Sequence, residues 1–284
     1  MLTSLLGIAP QPEPDGSFRP SKLALKLATS DVSAFRRVSY DSYQGTRSKI
    51  LVLLTEQKNM RMKNGKQFST GNHPVETLVP MLHLRDAGFE FEIVTPTGKP
   101  AVFEMWAMPQ QDKEVMGLYE ELKPSLEQPQ PLQGVLDRFL ASVEQYAAVF
   151  VPGGHGAMLG LPEDTNVGQL LRWVQENDVF TISLCHGPGG LLATSLDGNP
   201  FAYSGYKMCV FPDSVDKMTP KIGYMPGHMP WRLQEKLESL GAEVVNKKGD
   251  STCHVDRRLI TGASPEAADA LGRLAAETLL AQLT

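Results

Sequence analysis

Four strand-length runs, 49–55, 89–95, 146–151 and 180–184, set what this chain can become, and the first, 49–55, is almost continuously apolar. A strand with one wet face alternates apolar and polar positions; a continuous run fits a strand buried on both faces. Helix signals fall between the runs. Asn72 or His73 is placed to cap a helix with Pro74 in its first turn, where a missing N–H costs nothing. Leu78, Val79, Leu82 and Leu84 are among its apolar positions, and Asp86, Ala87 and Gly88 stop it. A helix over 165–176 leads into the run at 180–184, another starts at Gly187, and a third covers 231–240. Ser264, Pro265 and Glu266 open a C-terminal helix rich in Ala and Leu. Residues 206–211, 242–246 and 259–261 are the remaining strand candidates. Strand, helix and strand within about 45 residues form a βαβ unit, right-handed by default. The alternation predicts an α/β fold, a parallel sheet with helices on both faces.

Residues 1–47 show little periodicity and read as an extension wrapped around a core that spans 48–284. The pattern loosens again over 97–145, where Trp106, Met108, Met116 and Tyr119 suggest an irregular or helical insertion. The chain has 284 residues, and its 27 Lys+Arg against 32 Asp+Glu leave a formal charge of −5. That balance excludes a protein built to grip nucleic-acid phosphates by releasing counterions, and it argues against an anionic membrane surface as partner. At 42% hydrophobic and 21% charged residues, the composition is that of a globular domain rather than a disordered one. The cysteines, Cys185, Cys209 and Cys253, are too few and odd in number for a disulfide framework, which points to a reducing compartment. Residues 1–7 carry no Lys or Arg and make a poor signal peptide, and no apolar run reaches the ~20 residues of a membrane helix. The expectation is a cytoplasmic protein.

Ligands of open parallel sheets bind at the carboxyl ends of the strands, so the chemistry is expected at the strand ends. At Ile182-Ser183-Leu184-Cys185-His186-Gly187-Pro188-Gly189-Gly190 a strand runs into a thiol and a glycine-rich turn starts a helix at once. This is the pattern of a nucleophile elbow with cysteine in place of serine. A free cysteine is ordinarily a small buried hydrophobe, and Cys209 and Cys253 are read that way. For Cys185 the position argues otherwise, and the helix N-terminus is expected to lower its pKa and raise its thiolate fraction. His186 is a neighbouring proton-transfer group, although adjacent positions need not face each other. At Val151-Pro152-Gly153-Gly154-His155-Gly156 the glycines either expose N–H groups as an oxyanion hole or simply make a tight turn. Glu76, in the first turn of the helix after the first strand, either satisfies the helix dipole or meets Cys185 as a proton shuttle. His73 is read as a cap and His83 as a helix-surface residue. Asp213 and Asp216 are candidates to orient His186 or are solvated turn residues. His228 and His254, in loops, receive no role.

Together, Ser183 to Pro188, Val151 to Gly156 and Gly71-Asn72-His73-Pro74-Val75-Glu76-Thr77 resemble the PfpI-like superfamily. Phe103-Glu104-Met105-Trp106-Ala107-Met108-Pro109 and Gly223-Tyr224-Met225-Pro226-Gly227-His228 are similar to its bacterial heat-shock branch of chaperones and glutathione-independent glyoxalases. The likeness runs from about residue 40 to the C-terminus. It implies a flavodoxin-like core, a small lid built partly from the N-terminal segment and the insertion, and a homodimer. It implies Cys185 as nucleophile, His186 as its partner, Glu76 as the acid beside the thiol and Asp216 as the triad aspartate, with Asp213 the lesser candidate. Members of the branch hold a metal through two histidines and a glutamate. The matching positions here are Arg85, Glu90 and Leu122, so no metal site of that kind is expected.

The leading expectation is a cofactor-free enzyme for small α-oxoaldehydes. Cys185 adds to methylglyoxal or glyoxal, Gly153 and Gly154 steady the oxyanion, Glu76 or His186 moves a proton through an enediol, and thioester hydrolysis releases lactate or glycolate. The same chemistry on early glycation adducts of protein or nucleotide is deglycase activity, an activity assigned to the family. The rivals are a holdase that binds unfolded proteins on exposed apolar patches and, below it, a cysteine amidase or aminopeptidase. Stable nucleic-acid binding and membrane association are not expected.

Overall fold

A computed structural model of the protein describes residues 7–141 and 143–283. The start discounted above as a leader lies, for residues 1–6, outside them. The central sheet has seven strands: β1 (Lys49–Leu53), β2 (Glu90–Thr95), β3 (Gln130–Pro131), β4 (Tyr146–Val151), β5 (Phe180–Leu184), β6 (Cys253–Asp256) and β7 (Leu259–Gly262). Their order across the sheet is β6-β7-β5-β4-β1-β2-β3, and every pairing is parallel except the β6-β7 hairpin at one edge. The order reverses between β1 and β4, which puts the switch point of the sheet between their carboxyl ends, one strand away from β5.

The apolar run of 49–55 is explained by the layers. Ile50, Val52 and Leu54 of the first run pack under α1 (Pro74–Asp86), α2 (Lys113–Glu127) and the C-terminal helix Ala268–Gln282. Leu51 and Leu53 point the other way, toward α3 (Leu132–Ala141) and α4 (Thr165–Glu176). All five are fully buried, and each such side chain contributes about 1.5–3 kcal/mol relative to exposure. A one-residue slip of β1 would exchange the two faces, so the register is held from both sides.

Segment 97–145 therefore supplies an edge strand and helices on both faces of the sheet, besides carrying Glu104 toward the strand ends. A second sheet of four short strands, Gln11–Pro12, Phe18–Arg19, Gln67–Ser69 and Asn59–Arg61, joins the N-terminal segment to the connection after β1. The helix Lys22–Ala28 that follows brings Leu27 and Ala28 to the pocket described below. Among the described residues, no helix is long and apolar enough to cross a membrane.

Several sequence expectations change. His83 is not on the surface: it is fully buried, with Nδ1 2.7 Å from the Tyr40 hydroxyl and Nε2 3.0 Å from Asp269. Asp269 also accepts from the backbone of Arg36, so the histidine ties the N-terminal segment to the C-terminal helix. Residues 206–211 pair only at Lys207–Met208, in a separate ribbon with Glu243–Val244. Side chains replace the ladder beyond, because Cys209 donates its N–H to Thr261 Oγ1 and Val210 to Asn246 Oδ1. His254 lies in β6 rather than in a loop.

Gly272 marks the closest approach of the helices on one face. A Cβ there would stand 2.7 Å from both the Pro80 Cα and the His83 ring. Backbone cannot yield as a flexible side chain does, so Gly272→Ala is expected to lower unfolding stability by about 1–3 kcal/mol in urea titration, with the slope unchanged.

Candidate active site

β5 ends at Leu184 and Cys185 turns sharply, with φ of 57° in the left-handed region that a side chain adopts at a cost of about 1–2 kcal/mol. The conformation is held because its N–H donates to Gly262 O and its own carbonyl accepts from Phe211 N, both at 2.9 Å. The helical stretch Gly187–Gly198 starts immediately afterwards. The strained turn thus aims the Cys185 side chain at the carboxyl edge of the sheet while leaving it 3% exposed.

Cys185 Sγ lies 3.3 Å from His186 Nδ1, so the two neighbours do face each other. His186 Nε2 is 2.8 Å from Asp216 Oδ2, and His155 Nε2 is 3.0 Å from Asp216 Oδ1. Burial works against the Asp216 charge, but both imidazoles outweigh it and hold the carboxyl well below the usual range. An ionised carboxylate only accepts, so both histidines donate from Nε2. That leaves His186 Nδ1 free to accept from the thiol. Burial, and then His186, lowers the His155 pKa, which keeps that ring neutral. Asp213 is elsewhere: its carboxylate caps the helix Leu233–Ser239 through the N–H groups of Gln234 and Glu235.

Glu76 reaches the thiol from the first turn of α1. Burial, and then the Glu104 charge, pushes its carboxyl well above the ordinary value. Contacts with the Cys185 thiol and the Gly154 amide offset only part of this, and Oε2 makes no full hydrogen bond. The thiol is also pushed up, by burial first and then by Glu76. This corrects the expected lowering by the helix N-terminus. Two buried acids in contact resist ionising together, so the pair holds one proton between them once a single negative charge forms. With Glu76 protonated, the charge that opposes the thiolate is gone and the carboxyl becomes its donor.

Gly153 makes that contact possible. A Cβ there would collide with Glu76 Oε2 and stand 2.6 Å from Leu184 O and 2.8 Å from Cys185 Cβ. Gly154, at φ of 98°, turns its amide toward Glu76. His73 occupies the cap position of α1 without a side-chain capping bond. The amide of Asn72 instead joins the backbone of Thr55 and Val102.

Cys185, His186, Glu76 and Gly154 line a pocket of about 240 Å³ together with His73, His155, Glu104 and Tyr224. A hollow of about 750 Å³ opens at the opposite ends of the strands, around Lys49, Glu90 and Asp137, away from this chemistry. His155, Glu104 and Tyr224 received no role from sequence. Only the spacing of His155 after the glycines of a strand end signals its place. Burial and the two other histidines push the pKa of His73 down to about 3, and its Nδ1 has no partner.

Of the positions compared for a metal, Arg85 bonds Glu121 at 3.2 Å on the face of α1 that meets α2, and brings a cation of its own. His155, His186 and Asp216 offer ligand atoms within 4.8 Å of one another. Those atoms already satisfy each other, so a cation there would displace both imidazole protons.

The DJ-1/PfpI family model matches residues 68–278, and this chain belongs to that family. Protein/nucleic acid deglycase HchA of Escherichia coli O157:H7 is 48% identical over 267 residues, covering 94% of this chain and 93% of the relative. In fold the chain is similar to glyoxalase III of Candida albicans, with TM-score 0.65 and 20% identity over 84% of this chain and 98% of that one. It is also similar to REP24 of Francisella tularensis, with TM-score 0.69 and 18% identity over 82% of this chain and 99% of that one.

Burial pushes Glu104 up to about 7, so its proton is bound more tightly in the folded chain. That contribution to stability is present at acid pH and is lost as pH rises through about 7. Glu104→Gln is therefore expected to stabilise the protein by up to about 3 kcal/mol at pH near 8.5 and by little near pH 5, measured by paired thermal melts.

Proposed function

We propose that this DJ-1/PfpI-family chain is a glutathione-independent glyoxalase III and deglycase, acting on α-oxoaldehydes and on early glycation adducts of protein or nucleotide. The observation that carries the reading is the strained Cys185, its sulfur against His186 Nδ1 on one side and the Glu76 carboxyl on the other. Identity of 48% to a protein/nucleic acid deglycase across nearly the whole chain supports it.

The chemistry follows from the proton positions. His186 takes the thiol proton as sulfur attacks C1 of methylglyoxal, and Asp216 holds the imidazolium that forms. Glu76, protonated at rest, gives its proton to the C1 oxygen, leaving a hemithioacetal and its own carboxylate. That carboxylate lies beside the carbon that has just bonded to sulfur, so it removes the C1 hydrogen and returns it at C2. The product is a lactoyl thioester. Water attacks this ester and passes a proton to Glu76, and the departing sulfur recovers its proton from His186. Lactate leaves with the enzyme restored and no cofactor consumed. Burial of Glu76 and Cys185 suits the proton transfers, since the neutral acid and the reactive sulfur both depend on exclusion of bulk water, and hydrolysis then needs one water at the thioester.

Exposed apolar side chains at the pocket mouth, Leu27, Val215 and Ile222, with Met218 next to them, favour holdase activity as a second reading. The two readings separate at one atom. Cys185→Ala is expected to abolish lactate formation from methylglyoxal without glutathione while still suppressing aggregation of a thermally unfolding client. Lactate from the variant at the wild-type rate would overturn the thiol mechanism. Glu76→Gln, which keeps the shape but not the proton transfer, should lower kcat by about 100-fold or more in the same assay.

A further inference from the structure

The isomerisation leaves one proton without a source. When the C1 hydrogen is removed, charge develops on the C2 oxygen, and Glu76 is occupied at C1. An acid at C2 must therefore come from elsewhere in the pocket. No lysine or arginine is among the described residues that line it. Asp216 engages both histidines through Nε2, and the proton that His186 took on Nδ1 faces the sulfur and is kept for its departure. Tyr224 is a poor donor of a whole proton, since burial and then the Glu104 charge push its phenol well above the ordinary value. Glu266 sits exposed at the rim.

Glu104 is different. Its backbone is fixed, with N–H donating to Asn72 O at 3.0 Å and carbonyl accepting from Ala107 N at 2.7 Å. Its side chain lies in the pocket and the residue is 1% exposed. Oε1 accepts from Thr70 Oγ1 at 2.6 Å, which fixes the plane of the carboxyl. Oε2 is buried and makes no full hydrogen bond, although the amides of Gly71 and His155 face the carboxyl. A buried carboxyl oxygen left open in a substrate pocket costs stability unless a ligand completes it.

We propose that Glu104 is a further catalytic residue, the general acid that protonates the C2 oxygen of the Cys185-bound hemithioacetal. The assignment rests on the glyoxalase reading above. As the Glu76 carboxylate takes the C1 hydrogen, the C1–H electron pair forms the C1=C2 double bond. The C2–O π pair takes the proton of Glu104, giving a neutral enediol. Glu76 then returns its proton to C2, and the C1 hydroxyl proton passes to the Glu104 carboxylate as the thioester carbonyl forms. Both acids end as they stood before the isomerisation, with no outside reductant or oxidant. The groups that face Glu104 are Thr70, the amides of Gly71 and His155, the His155 ring, Tyr224, Glu76 and Cys185. Burial leads among these effects and keeps the carboxyl protonated up to about pH 7.

The test combines Glu104→Gln, an isostere that hydrogen-bonds but transfers no proton, with Thr70→Val. Each full-length variant is assayed with methylglyoxal for lactate across pH, and native mass spectrometry at short reaction times reports the Cys185 adduct as the gain of one methylglyoxal. Glu104→Gln is expected to form the adduct as wild type does, with kcat lower by about 100-fold or more and KM changed less than about 3-fold. Thr70→Val removes a bond that favours the carboxylate, so the fall of kcat on the alkaline side should move to higher pH. Turnover by Glu104→Gln within about 3-fold of wild type overturns the assignment, as does loss of adduct formation or an unmoved alkaline limb in Thr70→Val. Wild type that makes no lactate overturns the underlying glyoxalase reading, and this assignment with it.

Discussion

The contact between the Cys185 thiol and the Glu76 carboxyl is what the rest of the site is arranged around. Both groups are acids, both are buried, and neither ionises easily while the other is charged. Bringing them together takes three elements. The turn after β5 holds Cys185 in a left-handed conformation, α1 delivers Glu76 from its first turn, and Gly153 after β4 leaves the room a side chain would fill. The parallel sheet makes this meeting possible, since β1, β4 and β5 are adjacent and all end on the same edge.

The pocket trades stability for reactivity. Glu76 and Glu104 each bury an oxygen without a full hydrogen bond, and His73 adds a ring nitrogen without one. Each would be more stable replaced or solvated. The cost is borne by a core in which both faces of the central sheet are covered and Ile50 to Leu53 of β1 are fully buried. Acids kept neutral by burial are the kind that donate protons near neutral pH, which is the chemistry an aldehyde isomerisation asks of them.

Much of this was legible before any coordinates. The apolar run at 49–55 told of a strand covered on both faces, and strand ends singled out Cys185, Gly153 and Glu76, which the structure brings together. What escaped was whatever depends on long-range neighbours. His83 lies on a helical pattern that reads as surface, yet Tyr40 and Asp269, remote in sequence, bury it. Glu104 belongs to a segment without periodicity, and only the fold places it beside Thr70. The direction of the Cys185 shift escapes the sequence because a helix N-terminus is visible there, whereas desolvation and the nearby carboxyl are not. Asp213 and Asp216 could not be separated by local pattern; the capping bonds of one and the histidine bonds of the other do so.

The central claim is that Glu76 carries a proton at rest while it touches the thiol. Infrared difference spectroscopy of wild type against Glu76→Gln at neutral pH measures this directly. The account predicts that wild type shows the carbonyl stretch of a protonated carboxylic acid and that the variant loses it. A difference spectrum containing only the paired stretches of a carboxylate would mean that Glu76 is ionised beside Cys185, and the proton assignments made here would be wrong.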